Sequence, residues 1–370
     1  MPVSVKLHRL RPLMAGILTA MLVGSSPLPA VSAPARTRAT APSPLRVGVY
    51  YFPGWDESEK NWDSIRPFPE REPLLGWYKG SDPTVMRKQL NWMKEYGLSY
   101  VAFDWYWQNG GVHADGTLKS YLAVPKPDVD FAILWCNDQL GVGMEEWRKI
   151  VTFWVKNYLK QPTYLQLKGK PIVFVLTEQG FAANAAKAKL APAEYIRVAQ
   201  TIARQAGLKG INFVAGFDDL SYTLVTENAP MEGFGAVSGY NFHRPPWRPQ
   251  RPGWDKLTHG YPAMDQAYRE NWQEGLRSVL PVVTPMTTGW DKRAWGGSAD
   301  PLHDRSVATP AQFRAHLEAA KKVMVKPGRA HSGLGVVCCW NEYGEGSYLE
   351  PTKQRKFALL EQVRAVFGKQ

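Results

Sequence analysis

The chain has 370 residues, room for one large domain or two small ones, and a formal net charge of +12. Its basic residues are scattered rather than clustered, which argues against a nucleic-acid partner and for a basic, solvated surface. Three cysteines, Cys136, Cys338 and Cys339, are too few for a disulfide scaffold, and no Cys/His cluster has metal-ligand spacing, so no metal or other cofactor is expected.

Residues 1–33 read as an export signal. Lys6, Arg9 and Arg11 precede an apolar run at 13–23 that is too short to span a bilayer, and small residues follow up to Ala33. Cleavage after Ala30, Ala33 or Ala35 fits this pattern. Residues 34–45, rich in Pro, Ala, Ser and Arg, read as a linker, and residues 46–370 as the folded domain. No later segment is long and apolar enough to cross a membrane. The mature chain is therefore expected to be secreted or periplasmic, with no stable membrane insertion.

The domain alternates short apolar runs with helical patterns. The first strand is expected at 46–52, ending at Pro53-Gly54-Trp55. A helix capped by Asp82, with Pro83 at its first position, runs to Glu95 and stops at Gly97. The second strand, 99–103, delivers Asp104, Trp105, Tyr106 and Trp107 at its exit. The third, 131–136, delivers Asn137 and precedes a helix at 144–159. The fourth, 171–176, is followed by a helix at 192–206 that begins with Pro192. The fifth is 211–215. The sixth, 236–239, delivers Tyr240, Asn241, Phe242 and His243, and then a Pro-, Arg- and Trp-rich loop at 244–254 that cannot be regular structure. A helix follows at 261–280. The seventh strand, 281–284, leads to Trp290, Asp291 and Arg293, then a helix at 312–323. The eighth is 334–340, and a helix at 353–367 closes the chain.

Eight strands, most followed by a helix, point to a single-domain α/β fold of the (β/α)₈ barrel type. A doubly wound open sheet is the alternative; no Gly-rich phosphate loop follows the first strand to support it. The three cysteines all fall in apolar runs and read as small core residues. Neighbours on a strand point to opposite faces, so Cys338 and Cys339 are not expected to pair with each other.

The richest stretch is 333–351, GLGVVCCWNEYGEGSYLEP. A buried strand stops at Trp340-Asn341, and Glu342 and Glu345 follow at once, with Gly344 and Gly346 freeing the backbone around them. Acids just past a strand end lie at the mouth of a barrel, and two carboxyls with different surroundings can divide acid and base roles, as glycoside cleavage requires. The bland alternative is a solvated loop with two surface acids. Aromatic residues, 12% of the chain, gather at strand ends, where flat rings suit the C–H faces of sugars as well as ordinary packing. Tyr50, Tyr51, Trp105, Tyr106, Tyr240 and Trp290 are candidate platforms or hydroxyl donors. Asp104, Asn137, His243, Asp291, Trp340 and Asn341 are candidate substrate contacts. Asp291 and Arg293 also read as a structural ion pair, and Glu350 as a cap or salt-bridge partner.

The run W-N-E-Y-G-E-G-S-Y-L-E-P at 340–351 resembles the signature of the glycoside hydrolase family 99-like domain, including its WbsX-like branch. Y-Y-F-P-G-W at 50–55, Y-G-L-S-Y-V-A-F-D-W-Y-W at 96–107, and Gly289-Trp290-Asp291 with Arg293 are similar to other parts of that family, in the expected order. The resemblance implies a (β/α)₈ barrel and endo-acting, retaining cleavage of α-mannosides. It implies Glu342 as base toward the sugar's own 2-hydroxyl, giving a 1,2-anhydro sugar, and Glu345 as acid. The hydrolases carry Trp-His between the two acids; this chain carries Tyr343-Gly344, closer to the WbsX-like branch. A glycosyltransferase or transglycosylase, and a non-catalytic glycan-binding protein, are the alternatives.

Overall fold

In a computed structural model, eight β-branched and aromatic runs become parallel strands. They are β1 (Arg46–Tyr51), β2 (Tyr100–Gln108), β3 (Asp130–Trp135), β4 (Lys170–Val175), β5 (Asn212–Gly216), β6 (Ala236–Ser238), β7 (Val282–Thr287) and β8 (His331–Cys338). Each pairs with its neighbours in chain order, and β1 pairs with both β2 and β8, placing Gly48 opposite Tyr100 and Val336. The sheet therefore closes into a (β/α)₈ barrel with no open edge. The structure describes residues 45–55, 60–137, 143–326 and 331–368, which fall in one compact unit. The expected signal segment, and the linker up to residue 44, lie outside the described residues.

Helices follow the strands around the outside: α1 (Pro83–Glu95), α2 (Gly116–Leu122), α3 (Met144–Asn157), α4 (Glu178–Lys187), α5 (Pro192–Gln205), α6 (Gly260–Gly275), α7 (Pro310–Met324) and α8 (Ala358–Phe367). Local chemistry sets their starts. Asp82 accepts from the Thr84 amide at 2.7 Å ahead of Pro83. Thr309 and Gln312 form a capping box, which starts α7 two residues earlier than its apolar pattern suggests. Helix α4 was not expected; it is Ala-rich and weakly patterned, and the Thr177 hydroxyl caps it by accepting from the Gly180 amide. Helix α6 ends at Gly275, short of the expected residue 280.

Strand parity decides which side chains reach the barrel interior. On β2, Val101, Phe103, Trp105 and Trp107 face the helices; Trp105 lies edge-on to Trp154 of α3. Tyr100, Ala102, Asp104 and Tyr106 take the opposite side. The Tyr100 hydroxyl donates to the Gly335 carbonyl at 2.7 Å, across the β1–β8 pair. A Cβ on Gly48 would come within 2.4 Å of the Tyr100 ring, so that ring needs a glycine beside it.

One expectation is overturned. Cys338 and Cys339 form a disulfide with each other. Side-chain alternation assumes a trans, extended backbone, and the peptide between them is cis, with the Cα atoms 2.9 Å apart. Cys136 is buried and lies outside the disulfide.

Candidate active site

The segment after β8 is built in layers. The Trp340 amide donates to the Tyr50 carbonyl at 2.7 Å, extending the β1–β8 pairing past the disulfide. Asn341 then uses its carboxamide as a backbone mimic: it accepts from the Phe52 amide at 2.9 Å and donates to the Phe52 carbonyl at 3.0 Å. Its group holds the chain, and Trp340 is fully buried in the main core with its indole nitrogen unpaired among the described residues. A short antiparallel hairpin follows, Asn341–Glu342 against Ser347–Tyr348, with the acids at its near strand and turn.

The hairpin turn is glycine-dependent. Gly346 has φ +70°, and a Cβ there would strike the Asp291 backbone. A Cβ on Gly344 would sit 1.9 Å from the Trp295 ring, so Trp295 packs directly on the peptide between the two acids. Arg71, fully buried, holds the hairpin to the β7 exit: it donates to the carbonyls of Tyr343 and Asp291, and its guanidinium pairs with the Asp291 carboxylate at 3.0 Å. Arg293 grips the same carboxylate bidentately. Burial raises the Asp291 carboxyl, but hydrogen bonds from Arg293 and the charge of Arg71 outweigh it and hold it below the usual range. Asp291 is thus structural. Nothing in the sequence singled out Arg71, whose bonds to Asp291 and Tyr343 span more than 200 residues.

Two carboxyls meet at one phenol, and a third acts on them through its charge. The Tyr240 hydroxyl donates to Glu342 Oε1 at 2.9 Å and lies 3.4 Å from Asp104 Oδ2. Its ring stacks on Tyr50, 5.1 Å between centroids, and Tyr50 meets Phe174 of β4 edge-on, so the two phenols floor the mouth. Asp104 Oδ1, Glu342 Oε2 and Glu345 Oε2 are buried and have no hydrogen-bond partner among the described residues. Native proteins rarely leave such groups unpaired without a functional reason.

The electrostatics follow from crowding. Burial, then the charge of Glu345, pushes Asp104 well above its ordinary value, and the Tyr240 hydrogen bond only partly offsets this. Burial, then Glu345 and Asp104, does the same to Glu342. Burial lifts Glu345 to about 7, with the Lys292 ammonium pulling the other way. Three buried carboxyls acting on one another disfavour each other's charge, so the cluster resists full ionisation. Tyr106 stands against Cys136, Asp104 and Glu342, and its phenol is raised strongly by burial.

The remaining candidates divide. Tyr50, Asp104, Tyr106 and Tyr240 gather with Glu342 and Glu345. Tyr51 and Trp105 do not: each follows an inward residue by one position and so faces outward, with the Tyr51 hydroxyl donating to Gln89 of α1. Asn137 ties the β3 exit to β4, donating to the Thr177 carbonyl and accepting from its amide. His243 and Trp290 pair at the rim, ring centroids 4.2 Å apart. Glu350 is neither a cap nor an ion-pair partner: it accepts from Tyr78, Gln89 and Tyr343 in the core.

Comparison with known proteins agrees with this architecture. A glycoside hydrolase-like protein superposes with a TM-score of 0.67 at 12% identity, covering 88% of this chain and 95% of its own. A GH99 endo-alpha-mannosidase from Bacteroides thetaiotaomicron gives 0.61 at 13% identity, covering 87% and 96%. At such identities the likeness establishes the barrel fold. Two proteins of Xanthomonas campestris pv. campestris, both named WxcX and uncharacterized, are 25% identical over 353 residues, 84% of this chain. The chain spans about half the length, 46%, of these curated relatives. A family model described as glycosyltransferase WbsX matches residues 68–363, and the chain belongs to that WbsX family.

Proposed function

We propose that the chain is an exported glycoside hydrolase that cleaves α-mannoside-type linkages within a polysaccharide or glycan, endo-acting and with retention. One observation carries the reading: Glu342 and Asp104 converge on Tyr240 at the exit of the barrel strands, Glu345 acts on both through its charge, and each of the three buried acids has an oxygen left without a partner among the described residues. In this reading Glu345 protonates the leaving oxygen. Glu342 takes the proton of the sugar's 2-hydroxyl, whose oxygen closes on the anomeric carbon as the glycosidic bond breaks. Glu345, now ionised, then takes a proton from the water that opens the anhydro sugar, and Glu342 returns its own. Tyr240 favours charge on Glu342 by donating to it, and a carboxyl lifted to about 7 suits a group that must hold a proton near neutral pH. Tyr50 and Tyr240 offer the stacked aromatic floor for the ring.

The family description favours a second reading, transfer of the sugar to another glycan's hydroxyl, with the same pair activating an acceptor in place of water. Incubation with α-mannan and mass analysis separates the two. Shortened oligosaccharides are expected; lengthened acceptors would establish transfer, and tight binding without products would reduce the chain to a glycan-binding protein. Export is tested by sequencing the N-terminus of the mature protein, expected to start after Ala30, Ala33 or Ala35.

A further inference from the structure

We infer that His243 receives an uncharged sugar hydroxyl on its Nε2 atom, which a relay through His303 and the Thr258 carbonyl keeps as a hydrogen-bond acceptor. This deepens the glycan reading above and rests on it.

The argument starts at the far end of the relay. A backbone carbonyl accepts hydrogen bonds and never donates. His303 Nδ1 lies 2.6 Å from the Thr258 oxygen, so that nitrogen carries the proton. A neutral imidazole has one N–H, which leaves His303 Nε2 as a lone pair. That lone pair lies 3.0 Å from His243 Nδ1, so His243 donates there and its own Nε2 becomes the lone pair. Both rings stay neutral: burial first, then the proximity of His303 and the charges of Arg244 and Lys292, hold His243 down at about 3, and burial lowers His303 as well. The segments are locked together by a further bond from the Thr258 amide to the His243 carbonyl at 3.0 Å.

Position makes this acceptor relevant. His243 lies three residues past Tyr240, the donor to Glu342. The ring packs on Trp290, and the amide of the next residue, Asp291, donates to the Glu345 carbonyl at 2.6 Å, which ties this rim to the hairpin that carries the acids. Trp290 holds the imidazole edge-on, and Trp290 is itself fixed by a bond from Nε1 to Ser298 Oγ at 2.9 Å. His243 Nε2 has no protein partner among the described residues. A neutral lone pair attracts an O–H and repels a carboxylate or phosphate oxygen, so the group favoured at Nε2 itself is a hydroxyl.

The test uses the full chain carrying Glu345→Gln, so that sugar is bound and not consumed. Nitrogen NMR on ¹⁵N-histidine-labelled protein should place the proton of both His243 and His303 on Nδ1. Manno-oligosaccharides from α-mannan should then shift the His243 Nε2 signal. Calorimetry should show affinity falling about tenfold in His243→Phe and largely recovering in His243→Asn, which restores an acceptor. A proton found on His243 Nε2, or equal affinity in the parent and the Phe variant, overturns the inference. If the oligosaccharides bind none of these proteins, the mannoside reading is what fails, and the tautomer in the spectrum still decides this one.

Discussion

Glu345 and Glu350 stand five residues apart on one segment, and burial lifts both carboxyls to about 7. Their surroundings are opposite. Glu350 accepts from Tyr78, Gln89 and Tyr343, so its oxygens are paired by donors from the β1–α1 loop, helix α1 and its own hairpin. Glu345 has an unpaired buried oxygen, with two further acids acting on it and the Lys292 ammonium in reach. A raised carboxyl alone therefore does not mark a site; Glu345 is distinguished by its unpaired oxygen together with the neighbouring charges of Asp104 and Glu342.

Isosteric replacement is the sharpest way to break that contrast. Glu345→Gln removes the transferable proton and keeps the shape, so turnover of α-mannan should fall by about 10²–10⁴ with the thermal midpoint unchanged. Glu350→Gln should do the reverse. It turns an amide N–H toward groups that themselves donate, costing about 1–3 kcal/mol of stability, while turnover per folded molecule survives. Denaturant unfolding alongside product release reads both. If Glu350→Gln is the variant that stops turnover, the two acids have been assigned the wrong way round.

Tyr240→Phe should have a smaller effect. It removes the donor that favours charge on Glu342 and lowers the carboxyls of Glu342 and Asp104. Activity should drop about tenfold, the value of one such bond. Without it Glu342 holds its proton to higher pH, so the acidic limb of the activity profile should move upward. An unchanged limb would mean that Glu342 is not the base.

The same contrast explains what could be read from sequence. The eight strands were legible because a closed parallel sheet buries both faces and leaves near-continuous apolar runs. Glu342 and Glu345 were legible because they follow a strand directly. Tyr51 and Trp105 were misplaced although parity was available: on β2, Asp104 facing inward obliges Trp105 to face α3. Arg71, His303 and the donors to Glu350 were not legible, since each acts across more than 40 residues of chain or through a hydroxyl whose direction only the fold sets, save Tyr343 beside it. The Cys338–Cys339 bridge escaped because the alternation argument does not hold across a cis peptide.

The finest distinction between the two acids lies in what tunes them. Lys292 pulls the Glu345 carboxyl down against burial, whereas Glu350 is set by burial and by hydrogen bonds from Tyr78, Gln89 and Tyr343. Lys292→Met should therefore raise Glu345 and leave Glu350 where it is. An acid with a higher pKa keeps its proton longer, so the alkaline limb of the activity profile, near 7 in the parent, should move up by less than about one unit, ~1.4 kcal/mol. Glu350 supplies the internal control. Its folded-state value is raised above the ordinary 4.5, so the folded protein holds that proton after the unfolded chain has lost it. Its contribution to stability is full below about 4.5, falls as pH rises toward 7, and levels off above. Substituting Lys292 should leave the Glu350 part of that slope in place while the activity limb shifts, and a limb that stays fixed would show that a group other than Glu345 supplies the proton.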